Sequence, residues 1–234
     1  MADLKELKET LAYSCNILAY EGHWDNILGH VSVRIPGQER ILMKPHSFGF
    51  EEIRPEHIIT VDLDGKKVEG PYERHSEVFI HTEIYKARSD VNCVVHSHPP
   101  YAIAFGSLRQ SLRPISHEGS IFYEGLPLFD RTTALIRTPE LGVEVAKALG
   151  KCRAVLMKNH GSTVVAETIP VATLYAIFLE KAARIQLMAT ASGEPSWTSD
   201  EEAKVKYDQI YTPHRLGSMW DYFVRRVERL RKNS

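Results

Sequence analysis

Apolar side chains recur along the chain with two periods, and the switches between them mark its elements. Over residues 4–20, Leu4, Leu7, Leu11, Ile17 and Leu18 line one face with charged residues between, the pattern of an amphipathic helix. Two glycines, Asp25 and Asn26 interrupt it over 21–29. His30-Val31-Ser32-Val33-Arg34-Ile35 then alternates as a strand, Pro36-Gly37 is a turn, and Ile41-Leu42-Met43 starts a second short strand. A loop over 44–54 precedes a strand over 58–63, which runs into an Asp64-Gly65 hairpin turn. The helical period returns over 76–87, where Val78, Ile80, Ile84 and Ala87 share a stripe.

The next stretch, Val91-Asn92-Cys93-Val94-Val95-His96-Ser97-His98-Pro99-Pro100, organises the rest. A β-branched run ends in two histidines one residue apart, and two prolines without backbone donors stop it. Residues i and i+2 of a strand share a face, so His96 and His98 project side by side from a strand end. A short helix follows over 101–105, and 108–123 carries no clear period. Residues 139–149 form a helix opened by Pro139, and Ala154-Val155-Leu156-Met157 is a strand running into Lys158-Asn159-His160-Gly161. Val164 and Val165 point to pairing beyond that turn, and 169–192 is a long helix that tolerates Pro170 in its first turn. From about 194 the chain is a polar tail with a basic helix over about 219–232. Helices and strands mix without a βαβ rhythm, which predicts a single α/β domain over 1–234: three layers, with a mostly antiparallel central sheet flanked by helices.

Composition narrows the class without choosing a function. The chain has 234 residues, 43% hydrophobic and 25% charged, with net charge -1 and pI near 6.8. That balance argues against nucleic acid as a partner. No stretch approaches a membrane span, and residues 1–10 lack the apolar core of a signal peptide. Cys15, Cys93 and Cys152 are odd in number and read as free thiols of a cytoplasmic protein. Eleven histidines, several beside Gly, Pro or Ser, favour a metal or acid–base site.

His160, at the end of the second strongly apolar strand, can complete a three-histidine metal site with His96 and His98, and Glu77 is a fourth oxygen donor. Such a set suits zinc, manganese or iron(II). His81, four residues after Glu77, shares its helix face and reads as a packing residue or a support behind the site. His23 and His57 read as loop or helix-start histidines, and Cys93 as a core thiol.

Gly29-His30-Val31-Ser32-Val33-Arg34, His75-Ser76-Glu77, Val94-Val95-His96-Ser97-His98 and Asn159-His160-Gly161 come in the order and spacing of the class II aldolase/adducin superfamily, which residues 5–190 resemble. The resemblance implies one divalent ion per subunit, zinc or manganese before iron(II), held by His96, His98 and His160. It further implies Glu77 as the acid–base residue, and a homotetramer with active sites between subunits. The superfamily's sugar-phosphate aldolases and epimerases have Gly-Asn where this chain has Gly29-His30. Their Thr-Pro-Thr/Ser-Gly loop is Lys44-Pro45-His46-Ser47 here, and their Ser-Ser-Glu is His75-Ser76-Glu77.

Those family positions grip a phosphate. The substitutions point to a pocket rebuilt for another small anion, received by His30, His46, Ser47, His75 and Ser76, with Lys44 and Arg74 adding positive charge. His117 falls near a family tyrosine that donates a proton in a neighbouring subunit's site, and Tyr211 and Arg215 could cap a site. The leading expectation is a metal-dependent decarboxylase of a hydroxylated aromatic or pyridine dicarboxylate, working through an enolate. The alternatives are a sugar-phosphate aldolase or epimerase of the fuculose or ribulose type, a non-catalytic adducin-like module, and an oxygen-using iron enzyme.

Overall fold

The run ending in the histidine pair forms strand β5 (Cys93–Ser97) near the middle of an eight-stranded sheet in the computed structural model, which describes residues 3–108 and 110–232. Its partners are β1 (His30–Arg34), β2 (Arg40–Met43), β3 (Ile59–Asp62), β4 (Lys67–Glu69), β6 (Leu128–Phe129), β7 (Ala154–Met157) and β8 (Gly161–Ala166). The order is β4-β3-β2-β1-β5-β8-β7-β6, and every neighbouring pair is antiparallel except β6–β7.

Successive residues of β5 face opposite layers, which is why the whole strand is buried. Cys93 and Val95 join a core built with α1 (Leu4–Leu18), α3 (Pro100–Gly106) and α5 (Ile169–Ser192). Val94 joins the opposite core, with α2 (Val78–Ala87) and α4 (Pro139–Leu149). The sheet is thus sandwiched between helical layers, as the mixed pattern predicts.

Local chemistry places the helix ends. Asp3, Thr138 and Thr168 accept amide hydrogen bonds at the starts of α1, α4 and α5, and Pro139 and Pro170 occupy first-turn positions where no amide is needed. Beyond α1 the chain continues in a wider turn, Ala19–His23, so His23 is fully buried rather than a loop histidine. Its Nδ1 lies 2.9 Å from Ser97 Oγ, behind the histidine pair.

The tail departs most from expectation. It contains two helices, α6 (Asp200–Ile210) and α7 (Pro213–Lys232), so the basic helix starts before 219. In α6 the buried residue is Ala203, too little to print a helical period on the sequence. β6 escaped notice because two residues cannot show a period. Among the described residues no helix is long and apolar enough to cross a membrane, and all three cysteines are free.

Candidate metal centre

Strand register brings the histidines together. His30 on β1 pairs directly with His96 on β5, and His96 pairs with Thr163 on β8. His98 follows one residue past β5, and His160 ends the turn joining β7 to β8. Asn159 supplies the left-handed conformation of that turn, with φ of 53°. Gly161 is needed for a different reason. A Cβ there would lie 2.5 Å from the Ser97 carbonyl oxygen and 2.6 Å from the His98 ring. The hairpin therefore packs hard against the end of β5 and carries the His160 ring to within 5.3 Å of the His98 ring, nearly parallel to it.

The ligating atoms of His96, His98 and His160 lie within 4.8 Å of one another. His98 Nδ1 is 2.9 Å from Asp25 Oδ2, an acceptor when ionised, so this nitrogen carries the proton and Nε2 keeps its lone pair. His96 Nδ1 is 3.1 Å from the hydroxyl of Thr163, whose own proton is directed to Met157 Sδ, again leaving Nε2 bare. The two Nε2 atoms face each other at 3.0 Å. Two lone pairs at that distance repel unless a cation sits beside them. Burial, then the neighbouring imidazoles, hold both histidines below the ordinary range, so a proton is disfavoured. His160 Nε2 is buried without a hydrogen-bond partner. Nitrogens bound at about 2.05 Å to one tetrahedral ion lie about 3.3 Å apart, so this donor set fits a divalent metal.

Glu77 caps the start of α2, and its Oε2 is 3.6 Å from His160 Nε2. Its other oxygen accepts a 2.8 Å hydrogen bond from the backbone amide of Ile136. Burial pushes the Glu77 carboxyl up, but His160 and the Ile136 amide outweigh it and hold the group below the usual carboxylate range. Glu77 is therefore ionised at neutral pH.

Beside the cluster is a cavity of about 330 Å³ lined by His30, His46, His75 and Ser76 together with Glu77, His98 and His160. Larger clefts of about 580 and 740 Å³ exist elsewhere, but neither gathers this chemistry. Burial pushes His75 down to about 2, with Lys44 and His46 acting in the same direction, and pushes His30 well below its ordinary value. Both are neutral hydrogen-bonding groups at pH 7. His30 is held from behind by His81, whose Nε2 is 2.6 Å from His30 Nδ1 and whose Nδ1 is 2.6 Å from Ser32 Oγ. His81 is thus the supporting residue that its helix position suggested.

Other expected residues lie elsewhere. Ser47 is exposed, and its hydroxyl bonds His46 Nδ1 at 2.7 Å instead of lining the cavity. Lys44 is fully buried, and its Nζ donates to the carbonyls of Ile27 and Pro45. Arg74 donates to the His75 carbonyl. Neither side chain lines the cavity; they stand behind its wall, where Lys44 Nζ is 3.3 Å from His75 Nε2 and its charge acts on that ring. His117 is exposed and lies, with Tyr211 and Arg215, in a separate apolar cleft of about 510 Å³. Asp25, Ile136, Arg137 and Thr163 escaped sequence reading. Asp25 sits in a Gly-bounded loop and Arg137 in a segment without period, so only the fold connects them to the histidines.

A sheet-end cluster of three histidines and a glutamate, beside a small polar cavity, defines a class II aldolase-type lyase. Residues 9–187 match the Class II Aldolase and Adducin N-terminal domain, and the chain belongs to that family. It is 34% identical to a 3,4-dihydroxyphthalate decarboxylase of Arthrobacter keyseri, over 80% of this chain and 79% of that protein. A 5-deoxy-D-ribulose 1-phosphate aldolase of Bacillus thuringiensis serovar kurstaki is 29% identical, over 85% of this chain and 92% of the other. In three dimensions the chain resembles an L-fuculose 1-phosphate aldolase from Glaciozyma antarctica, with a TM-score of 0.87, 26% identity, and coverage of 100% and 94%. With decarboxylases and aldolases as its relatives, the protein is a lyase, and the family's dependence on divalent metal agrees with the cluster.

Proposed function

We propose that the protein decarboxylates a hydroxylated aromatic or pyridine dicarboxylate. One divalent ion, zinc or manganese, is held by His96, His98 and His160, and Glu77 handles the proton. The observation that carries this reading is the cavity wall. Neutral imidazoles at His30 and His75 and the apolar side chains of Leu28, Ile103 and Leu135 line the same cavity, a mixed wall suited to a flat ring that carries polar groups. The decarboxylase relative supports the same reading.

A divalent ion bound at the cluster supplies Lewis acidity to the substrate oxygen next to the bond that breaks. The chain's own residues do the rest. Glu77, held ionised by His160 and Ile136, takes the proton of the ring hydroxyl and delivers it to the ring carbon bearing the departing carboxylate. The carbon–carbon bond to that carboxylate then breaks, its electrons restore the aromatic ring, and carbon dioxide leaves. His30, fixed by His81, and Ser76 orient the substrate through hydrogen bonds. In the assembly we propose, a homotetramer with active sites between subunits, the His117 cleft faces a neighbour's cavity and His117 serves there as a proton donor. The three free thiols favour a reducing, cytoplasmic setting.

Incubating the metal-loaded protein with hydroxyphthalates and hydroxypyridine dicarboxylates should release one carbon dioxide per acid consumed, and Glu77→Gln should abolish the release. Cleavage of a ketose phosphate, with no carbon dioxide from any hydroxy-aryl acid, would overturn the proposal. It would establish the second reading, which Ser76 on the cavity wall and the aldolase relatives favour.

A further inference from the structure

We infer that Arg137 receives the carboxylate that decarboxylation leaves in place, and so makes the cavity selective for dicarboxylates over monocarboxylates. This rests on the decarboxylase reading and names a subsite within it.

Arg137 lines the cavity on the same segment as Leu135, and its guanidinium makes no hydrogen bond or ion pair with any described residue. The other permanent cations nearby are committed. Lys44 Nζ is directed to two backbone carbonyls and to His75 Nε2, and Arg74 is directed to the His75 carbonyl. The imidazoles are partly committed too: His30 Nδ1 to His81, His46 Nδ1 to Ser47, and His75 Nε2 either donating to the Pro45 carbonyl or accepting from Lys44, according to its tautomer. Among the described residues Arg137 is therefore the one lining side chain with a permanent positive charge and a full set of unused donors.

Charge balance points the same way. Asp25 and Glu77 already place two carboxylates on the wall. A substrate with two carboxylates of its own would meet net repulsion at any end distant from the histidine cluster, unless a cation waits there. A guanidinium presents a planar fork that matches a carboxylate with two parallel hydrogen bonds. Its backbone is also anchored. The preceding residue, Ile136, is buried, and its amide grips Glu77, so the segment that carries Arg137 is tied directly to the acid–base group. Ring, departing carboxylate and retained carboxylate are thereby held in register across one cavity.

The test compares wild type with Arg137→Gln and Arg137→Lys. Carbon dioxide release is measured from a hydroxyphthalate and from 2-hydroxybenzoate, and binding of unreactive phthalate by calorimetry. For the dicarboxylate, Arg137→Gln should raise KM roughly 10- to 100-fold with kcat little changed, the size of a lost charge-assisted hydrogen-bond pair. KM for the monocarboxylate should not move, and Arg137→Lys should recover part of the loss. Equal effects on both acids, or none on either, would overturn the inference while leaving the decarboxylase reading intact. If wild type releases no carbon dioxide, that reading fails by itself and phthalate binding decides the subsite. Weakening in Arg137→Gln alone upholds it, and equal binding by both proteins ends it.

Discussion

Asp25 acts on the cluster without belonging to it. By accepting the Nδ1–H hydrogen bond of His98 at 2.9 Å, it turns the Nε2 lone pair toward His96 and His160 and makes the imidazole a better donor. Thr163 does the same for His96 from the neighbouring strand. Removing such a partner leaves the ligand present but free to rotate or to change tautomer. Asp25→Ala should therefore weaken metal binding roughly 10- to 100-fold, measured by competition with a chelator, and Asp25→Asn should fall between because an amide oxygen still accepts the bond. Neither role is visible in sequence. An aspartate 73 residues from its histidine, or a threonine 67 residues from another, shares no local pattern with it.

At the scale of elements, the site depends on the β7–β8 hairpin touching the end of β5. Asn159 supplies the left-handed conformation of that hairpin's turn, and Gly161 is kept for closeness. The neighbours of a Cβ at 161 are a backbone carbonyl and a ligand ring, and neither can give way cheaply. Gly161→Ala should push the hairpin off β5 and carry His160 with it. The expected outcome is a loss of roughly 1–3 kcal/mol in denaturant unfolding, together with reduced metal content of the folded fraction. The strands and the long helix were legible because burial on one or two faces imprints a period. The β6 strand, the α6 helix and the segment carrying Arg137 were not, because their positions are set by what they lie against.

Over the whole molecule, buried histidines couple stability to pH. Burial holds His23 and His81 at about 3, against an unfolded value of about 6.5. Below pH 6.5 the unfolded chain takes up these protons and the folded chain does not. Stability is thus fully present above that value and drains away as pH falls toward 3. Each group contributes a slope of about 1.4 kcal/mol per pH unit in the steep part of that range. Urea unfolding at several pH values between 7.5 and 5 should show a falling midpoint. Replacing His23, whose bond is to Ser97 rather than to the substrate wall, should flatten the slope. An unchanged midpoint across that range would contradict the burial of these rings.

The amino-acid sequence by itself determined the alternation of strands and helices, the strand-end histidine pair, and the grouping of His96, His98, His160 and Glu77. These follow from periodicity, from residue types that bind metal, and from a family resemblance carried by short motifs. Only the tertiary structure decided which imidazoles are neutral, which nitrogen of each histidine is free, and that Lys44 and Arg74 are spent on backbone carbonyls while Arg137 is not. The physical reason is that charge state and donor availability depend on burial and on partners distant in the chain. A linear pattern names the groups that can ligate or titrate, and the packing around them sets what each one does.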